Sequence, residues 1–218
     1  MIISKLTECL SSIFEDDSLF GFAPIDTALS EKENCKCALV TLLPYPDLIY
    51  NYNAFEYYTM LEELRTIHTK KLERVRSFLD ENNINYAVPP ASPKDDGEYF
   101  ADFSYKWAAI HAGLGFIGKN SVFVHYKYAQ RVRISCILID LDISIPVKDI
   151  KGECGDCVLC VQACPYNYIT GRTWDMTVRR EELVDYKKCA TKTKHMGMGE
   201  GKVYACSYCA LACKYPLI

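Results

Sequence analysis

Apolar residues recur at helical spacing twice in the N-terminal half of the chain. The first pattern spans residues 3–14 and predicts a short amphipathic helix. A second pattern predicts a long helix that begins at a capping Asn53 and ends near Asn82. The residues expected on its inner face are Leu61, Leu64, His68, Leu72, Val75 and Leu79.

Runs of apolar, β-branched and aromatic residues predict the strands. Ala38–Leu43 is a continuous apolar run closed by prolines, which is typical of a buried strand. Ile84–Val88 predicts a short strand that stops at two prolines. Ser121–Tyr126 and Arg131–Ile139 are separated by a short turn, so we expect them to form a hairpin.

A glycine-rich segment between a predicted helix and a predicted strand resembles two nucleotide-binding motifs. The helix is capped by Ser104 and runs to Ala112, and Gly113 ends it. The segment 113–120, Gly-Leu-Gly-Phe-Ile-Gly-Lys-Asn, matches G-x-G-x-x-G and nearly matches the phosphate loop. Both motifs need a strand before the glycines and a helix after them, and here the order is reversed. We therefore reject both nucleotide interpretations.

Composition limits the class of protein and its location. Half of the 218 residues are apolar, and no apolar run is long enough to span a bilayer, so we expect no membrane association. The N-terminus lacks the features of a secretory signal, which predicts a cytoplasmic protein. The net charge of −3 argues against a general nucleic-acid surface. Four cysteines lie in residues 1–150 and eight in residues 151–218, so we expect a domain boundary near 148–152.

The strongest chemical signal is a run of cysteines with ferredoxin spacing. Residues 154–165 read C-x2-C-x2-C-x3-C-P, the pattern with which bacterial ferredoxins hold [4Fe-4S] clusters. A second set follows in the tail. In two-cluster proteins the fourth cysteine of each run serves the other cluster. This rule assigns Cys154, Cys157, Cys160 and Cys213 to cluster 1, and Cys164, Cys189, Cys206 and Cys209 to cluster 2.

The cysteines and the histidine on the inner face of the long helix also have roles other than metal binding open to them. Structural zinc favours paired C-x2-C motifs, and disulfides need an oxidising compartment, so both are less favoured for the tail. Cys9, Cys35, Cys37 and Cys136 have no partners at metal spacing and are interpreted as ordinary thiols. His68 is interpreted as a packed, hydrogen-bonded imidazole.

The segment 112–120, the predicted hairpin and the eight-cysteine tail together resemble the epoxyqueuosine reductases, cobalamin-dependent enzymes with two [4Fe-4S] clusters. Reductive dehalogenases are more distantly similar. The resemblance implies an α+β fold: a nitroreductase-like α/β domain over 1–150 that binds cobalamin, followed by a ferredoxin-like domain over 151–218. It also implies a corrinoid site near 112–139, with Gly113, Gly115, Gly118, Lys119 and Asn120 as binding residues.

The same resemblance suggests a catalytic acid upstream of the glycines. In the family, the catalytic carboxylate lies upstream of the Ala-Gly-Leu-Gly turn. Without a gap, its position falls on Tyr99, beside Glu98, and a shift of three residues would place it on Asp102. Tyr99 would donate a proton, as a tyrosine does in reductive dehalogenases. Asp102 is open to two interpretations, as the acid or as a helix-capping group, and the second is slightly favoured.

The partners expected from the sequence follow from these assignments. A low-potential ferredoxin or flavodoxin would supply electrons, and a small or unidentified molecule would be the substrate. Epoxyqueuosine reductases continue into a helical-repeat domain that helps to hold tRNA, whereas this sequence stops five residues after Cys213. We therefore expect a short form for which tRNA is not the partner. Alternatives are an electron carrier, with a flavin or nothing in the N-terminal domain, and a corrinoid-reducing partner of another enzyme.

Overall fold

A computed structural model describes residues 2–46, 54–90, 101–146, 149–194 and 206–216 of the chain. The helices of this part are α1 (Ile2–Phe14), α2 (Thr27–Glu33), α3 (Ala54–Glu81), α4 (Tyr105–His111), α5 (Leu159–Ala163), α6 (Arg180–Leu183), α7 (Tyr186–Lys194) and α8 (Tyr208–Leu211). Its strands are β1 (Phe20–Pro24), β2 (Cys37–Pro44), β3 (Tyr86–Ala87), β4 (Gly115–Ile117), β5 (Phe123–His125) and β6 (Val132–Ile139). The fold is thus mixed α/β with small antiparallel sheets.

The main sheet is built around the long pair β2 and β6. Its strand order is β1-β2-β6-β3, and every neighbouring pair is antiparallel. Strand β2 is buried at every position except its last, which confirms the prediction of a buried apolar strand. Helix α4 packs against β1, β2 and β6 and so lies on this sheet.

The two predicted amphipathic helices are both present. Helix α1 packs against α3, and its residues Leu6, Leu10 and Ile13 are buried in the main core. Val75 and Leu79 of α3 are buried in the same core, as the apolar spacing predicted. The predicted cap, Asn53, lies outside the described residues. None of the helices in the described ranges is long and apolar enough to cross a bilayer.

The predicted hairpin is wrong, although both of its runs contain strands. Strand β5 pairs with β4 in a separate two-stranded sheet, whereas β6 pairs with β2 along eight residue positions. The chain turns sharply between them, where His125 bridges to Ala129. Strand β6 gains more paired and buried backbone from β2 than the three-residue β5 offers, and this favours the long-range pairing.

The cysteine-rich region consists of short helices and isolated bridges. Ile169, Val184 and Tyr186 form a small core of their own, with Cys160, Cys164 and Cys209 among the side chains packed against it. Val178 and Leu183, however, are buried in the main core. The division of the chain near 148–152 remains a prediction, as do the nitroreductase-like and ferredoxin-like assignments of its two parts.

His68 is a packed core imidazole, as the sequence indicated. It is 1% exposed, and its Nε2 lies 3.0 Å from the Thr41 hydroxyl. Its Nδ1 lies 3.4 Å from the Ser135 hydroxyl, so the ring joins α3 to both central strands. Burial, and then the charges of Arg133 and Lys71, lower the pKa of His68 to about 4.

We expect His68 to make the fold sensitive to acid. The pKa of His68 is lower in the folded chain than in the unfolded chain. Its contribution to the free energy of unfolding is therefore complete above the pKa of the unfolded chain, and it is lost as pH falls from about 6.5 to about 4. The loss should be about 3 kcal/mol of the free energy of unfolding. Denaturant titrations of the wild type and of His68→Gln across this range measure it.

The His68→Gln chain should show a shallower loss of stability between these pH values than the wild type does. Burial also lowers the pKa of His111, which is only partly buried at the end of α4, so His111→Gln is the comparison and should change the pH dependence less than His68→Gln does. Equal pH dependence in wild type and His68→Gln would contradict the assignment.

Candidate functional site

Three glycines shape the segment that follows α4 and includes β4, each for a local reason. Gly113 has a φ of +75° just after α4, so it needs the left-handed region. A Cβ on Gly115 would lie 2.0 Å from the Val124 carbonyl oxygen of β5. One on Gly118 would meet Gln130 and Val124 at 3.0 Å. At Gly115 and Gly118, protein atoms therefore occupy the place that a side chain would take, and the assignment of the glycines to a corrinoid site remains a prediction.

Lys119 connects this turn to the first cysteine loop. The residue is 6% exposed, and its Nζ donates hydrogen bonds to the carbonyl oxygens of Gly155 at 2.7 Å and Cys157 at 3.0 Å. Its backbone N–H also bonds the Cys154 thiol, where it opposes the rise in pKa that burial causes. Lys119 lies in the loop between β4 and β5, and its ammonium group is engaged with carbonyl oxygens of the first cysteine loop.

Asn120 and Gln130 extend the same connection to the end of the chain. Both are buried, and their side-chain amides exchange two hydrogen bonds of 2.8 Å. The Asn120 side chain also bonds the Cys209 thiol, and the backbone N–H of Gln130 bonds the Cys213 thiol. The two residues thus contact one thiol from each predicted cluster.

The thiols predicted for cluster 1 lie near one another. Burial raises the pKa of Cys160 to about 11, and the thiols of Cys154, Cys209, Cys213 and Cys157 raise it further. Burial also raises the pKa of Cys213, and the thiols of Cys154 and Cys157 raise it further. A hydrogen bond from the backbone N–H of Tyr215 lowers this pKa in part. Cys213 is therefore an electrostatic neighbour of the first motif, although it is far from it in sequence.

The segment that carries Cys213 is held by aromatic and polar contacts. The Tyr215 hydroxyl donates to a Glu153 carboxylate oxygen at 3.0 Å. Its ring packs edge-on against Phe116 of β4, with 5.0 Å between ring centroids. Burial, together with the Glu153 hydrogen bond, raises the pKa of Tyr215 to about 12. These contacts bring residues 213–215 to the first cysteine loop.

The thiols predicted for cluster 2 form a second group around a cavity. Burial raises the pKa of Cys189, and the thiols of Cys209, Cys206 and Cys164 raise it further. All four cysteines line one cavity of about 460 Å³, which also reaches the turn at Asn120 and Ser121. None of the eight cysteines of the tail, all of which lie in the described ranges, forms a disulfide. Within the described ranges, no group of three or more Cys, His, Asp or Glu side chains has the geometry of a site for a single metal ion.

A second cavity of about 480 Å³ adjoins the first. Phe103, Trp107 and Trp174 supply aromatic walls, and Lys106, Ser121, Arg180 and Ala190 line both cavities. The Lys106 Nζ donates to the Ser121 carbonyl oxygen at 2.7 Å. Burial, and then the Arg180 charge, lower the pKa of Lys106 to about 8. Among the described lining residues of the two cavities there is no Asp or Glu.

The predicted catalytic acids are only partly described. Tyr99 and Glu98 lie outside the described residues. Asp102 is exposed, and its neighbours Ala101 and Phe103 line the second cavity. The cap of α4 is Ser104, whose hydroxyl accepts from the Trp107 N–H at 3.2 Å. Ser104 confirms the predicted cap of α4, and both interpretations of Asp102 stay predictions.

Sequence reasoning missed three features of this site: the Lys106–Arg180 pair, Gln130, and Glu153 with Tyr215. Lys106 faces the cavities from the helix before the glycine segment, and Arg180 comes from the segment between the two cysteine sets. Neither belongs to a motif, so only the meeting of distant segments identifies them. Gln130 offered a weak signal as a lone polar residue just before an apolar strand.

The fold and the paired cysteine groups define a mixed α/β protein with a cysteine-rich C-terminal part. No protein-family model matches the chain. It is 26% identical over 174 residues to an epoxyqueuosine reductase of Leadbetterella byssophila, an alignment that covers 79% of this chain and 52% of that relative. The chain thus spans about half the length of this relative. The resemblance inferred from its motifs is confirmed: the chain is similar to epoxyqueuosine reductases.

Solved structures share the fold. The structure of an epoxyqueuosine reductase from Streptococcus thermophilus matches 98% of this chain and 65% of its own, with a TM-score of 0.63 and 18% identity. A catabolic reductive dehalogenase in complex with 3-bromo-4-hydroxybenzoic acid matches 95% of this chain and 34% of its own, with a TM-score of 0.60 and 14% identity. At such identities the likeness extends to the fold.

One of these structures corrects the expectation about partners. An epoxyqueuosine reductase with a tRNA-Tyr epoxyqueuosine-modified stem loop matches 97% of this chain with a TM-score of 0.58 and 19% identity. The sequence-based exclusion of tRNA is wrong. It relied on the sequence ending soon after Cys213 and on the net charge of −3, and a net charge does not describe the local patches that contact a nucleic acid.

The Lys119 contacts predict that the first cysteine loop depends on a residue outside it. Lys119→Met should leave the Gly155 and Cys157 carbonyl oxygens without their donor and cost about 1 kcal/mol or more. We expect faster amide hydrogen exchange in residues 154–160 and a lower Tm. The control is Lys127→Met, which removes an exposed ion pair with Asp16. Equal exchange in both variants would contradict the role of Lys119.

Proposed function

We propose that this chain is a corrinoid-dependent reductase with two [4Fe-4S] clusters, similar in chemistry to the epoxyqueuosine reductases it resembles. The observation that carries the proposal is the cavity lined by Cys164, Cys189, Cys206 and Cys209, which reaches the glycine segment on its other side. Such an arrangement would bring a redox group held by thiolates next to space for a second cofactor and a substrate.

The cysteine chemistry fits iron–sulfur clusters. Cluster 1 would be held by Cys154, Cys157, Cys160 and Cys213, and cluster 2 by Cys164, Cys189, Cys206 and Cys209. Most of the electrostatic contacts between thiols fall within these groups and support the division, although Cys209 also acts on Cys160. The division follows the crossing of fourth ligands between ferredoxin motifs. A cubane attaches its thiolates to four separate iron atoms, so the sulfurs need not converge on one point as they do around a single ion.

The second cavity fits part of a corrinoid. Phe103, Trp107 and Trp174 would contact the flat macrocycle, and Asn120 would approach it from the first cavity. A corrinoid is larger than the ligands that one cavity of this volume usually holds, so it would extend across both. When bound, it supplies a redox-active cobalt, the part of the chemistry that amino-acid side chains lack.

The protein's own residues would hold the substrate and supply a proton. We propose that the substrate is an epoxide on a tRNA nucleoside, as the name of the similar reductases and the stem-loop complex suggest. Removing the epoxide oxygen as water consumes two electrons and two protons. Tyr99 and Asp102 are the candidates for the general acid, because both precede α4, whose start lines the second cavity.

We expect the reconstituted wild-type chain to hold about eight iron and eight acid-labile sulfide. Cys213→Ala and Cys154→Ala should lose the same signal in the reduced-state EPR spectrum, while Cys206→Ala should lose the other. Cys9→Ala is the matched control, since this thiol lies on α1 and should leave both signals intact. Stoichiometric zinc in a colourless protein, or a Cys213→Ala spectrum like that of Cys206→Ala, would contradict the assignment.

The reductase activity is tested with the reconstituted chain, added cobalamin and a chemical reductant. We expect cobalt to remain bound through gel filtration, and a stem loop carrying epoxyqueuosine to lose the mass of one oxygen. A stem loop carrying queuosine is the control and should not change. Loss of cobalt on the column would reject the corrinoid, and bound cobalt with an unchanged epoxide would reject the proposed substrate.

A further inference from the structure

Arg180 lies at the junction of the two cavities. It is the first residue of α6, in the segment between the two cysteine sets, and its guanidinium lies 4.2 Å from the centre of the Tyr186 ring. It lines the same cavity as the four cysteines of the second group, and its charge acts on the Cys189 thiol. A fixed cation is thus held beside this group of thiols.

Lys106 adds a second positive charge at the same junction. Its ammonium group is held by the Ser121 carbonyl oxygen, and its charge and that of Arg180 act on each other. The acids next to Arg180 in sequence are directed elsewhere: Glu182 pairs with Arg172 at 3.0 Å, and Glu181 pairs with Arg179 at 3.5 Å. The described walls of the cavities therefore carry positive charge alone.

The first cysteine group has a different electrostatic setting. The Lys119 ammonium group lies against the first cysteine loop, but the Glu153 carboxylate lies beside Cys154, where it accepts from Tyr215. Cys157 is exposed, so water screens charges there more strongly. Near the first group, the opposite charges of a cation and a carboxylate cancel much of each other's effect on the thiols, and water weakens the rest. Near the second group, the charges of two cations add, and the partly closed cavity screens them less.

We propose that Arg180, with Lys106, makes the cluster held by Cys164, Cys189, Cys206 and Cys209 the more easily reduced of the two. The inference rests on the proposed function, since it needs both clusters. Adding one electron to a cluster with four thiolate ligands makes it more negative, and nearby positive charge stabilises the reduced form. An electron supplied by an external one-electron reductant would then reside on the cluster that borders the cavities. Arg180 is in this sense a positioning residue that acts through the cluster.

A redox titration of the reconstituted full chain, followed by EPR, tests the proposal. The Cys206→Ala variant identifies the signal of the second cluster. Arg180→Gln should lower the midpoint potential of that signal and leave the signal of the first cluster unchanged. Arg180→Lys keeps the charge and should stay close to the wild type. Arg179→Gln is the matched control, because Arg179 is the exposed neighbour, and it should change neither potential.

The outcomes separate this inference from the proposed function. A wild-type chain that assembles no clusters rejects the function itself. An unmoved second potential in Arg180→Gln with full iron content, or equal shifts of both signals, overturns the inference and indicates a purely structural arginine. If Arg180→Gln fails to hold its second cluster, Lys106→Gln takes its place. Its second potential must fall, and a potential equal to that of the wild type overturns the proposal.

Discussion

The arrangement of the site depends on one buried lysine and the turn that carries it. Lys119 follows a glycine that has no room for a side chain, and its ammonium group reaches two carbonyl oxygens of the first cysteine loop. These charge-assisted hydrogen bonds are stronger than neutral ones and fix the loop against the α/β core. Asn120 and Gln130 continue the attachment to Cys209 and Cys213. The cysteine-rich region is thereby held in place by a segment that contains none of its ligands.

This attachment explains why the pair β2 and β6 matters for the site. Gln130 lies just before β6, and the pairing of β6 with β2 along its whole length fixes where the strand begins. The two-stranded sheet of β4 and β5 fixes the other side of the turn, with Gly115 packed directly on the β5 backbone. Two separate sheets therefore meet at residues 118–130, and the single hairpin predicted from the sequence would not have produced this geometry.

The cavities, in turn, depend on the segment between the two cysteine sets. Val178 and Leu183 are buried in the main core on either side of Arg180. Their burial brings the guanidinium to the junction of the cavities, although its sequence neighbours Arg179 and Glu181 stay exposed. The burial of these two apolar residues thus places the Arg180 guanidinium toward the interior, where a cation–π contact with the Tyr186 ring stabilises it.

The sequence by itself determined the features that rest on local spacing. The buried strand β2, the helices α1, α3 and α4, the cap at Ser104 and the reversed order around the glycines all follow from periods, caps and stops within a few residues. The resemblance to epoxyqueuosine reductases also came from local features, the segment 112–120 and the spacing of the tail cysteines, although the hairpin counted with them was wrong. Only the tertiary structure decided that β6 pairs with β2, that Lys119 holds the first cysteine loop, and that Lys106 and Arg180 meet beside Cys189. The physical reason is that long-range contacts depend on which buried surfaces fit together, and no local pattern in a single sequence records that choice.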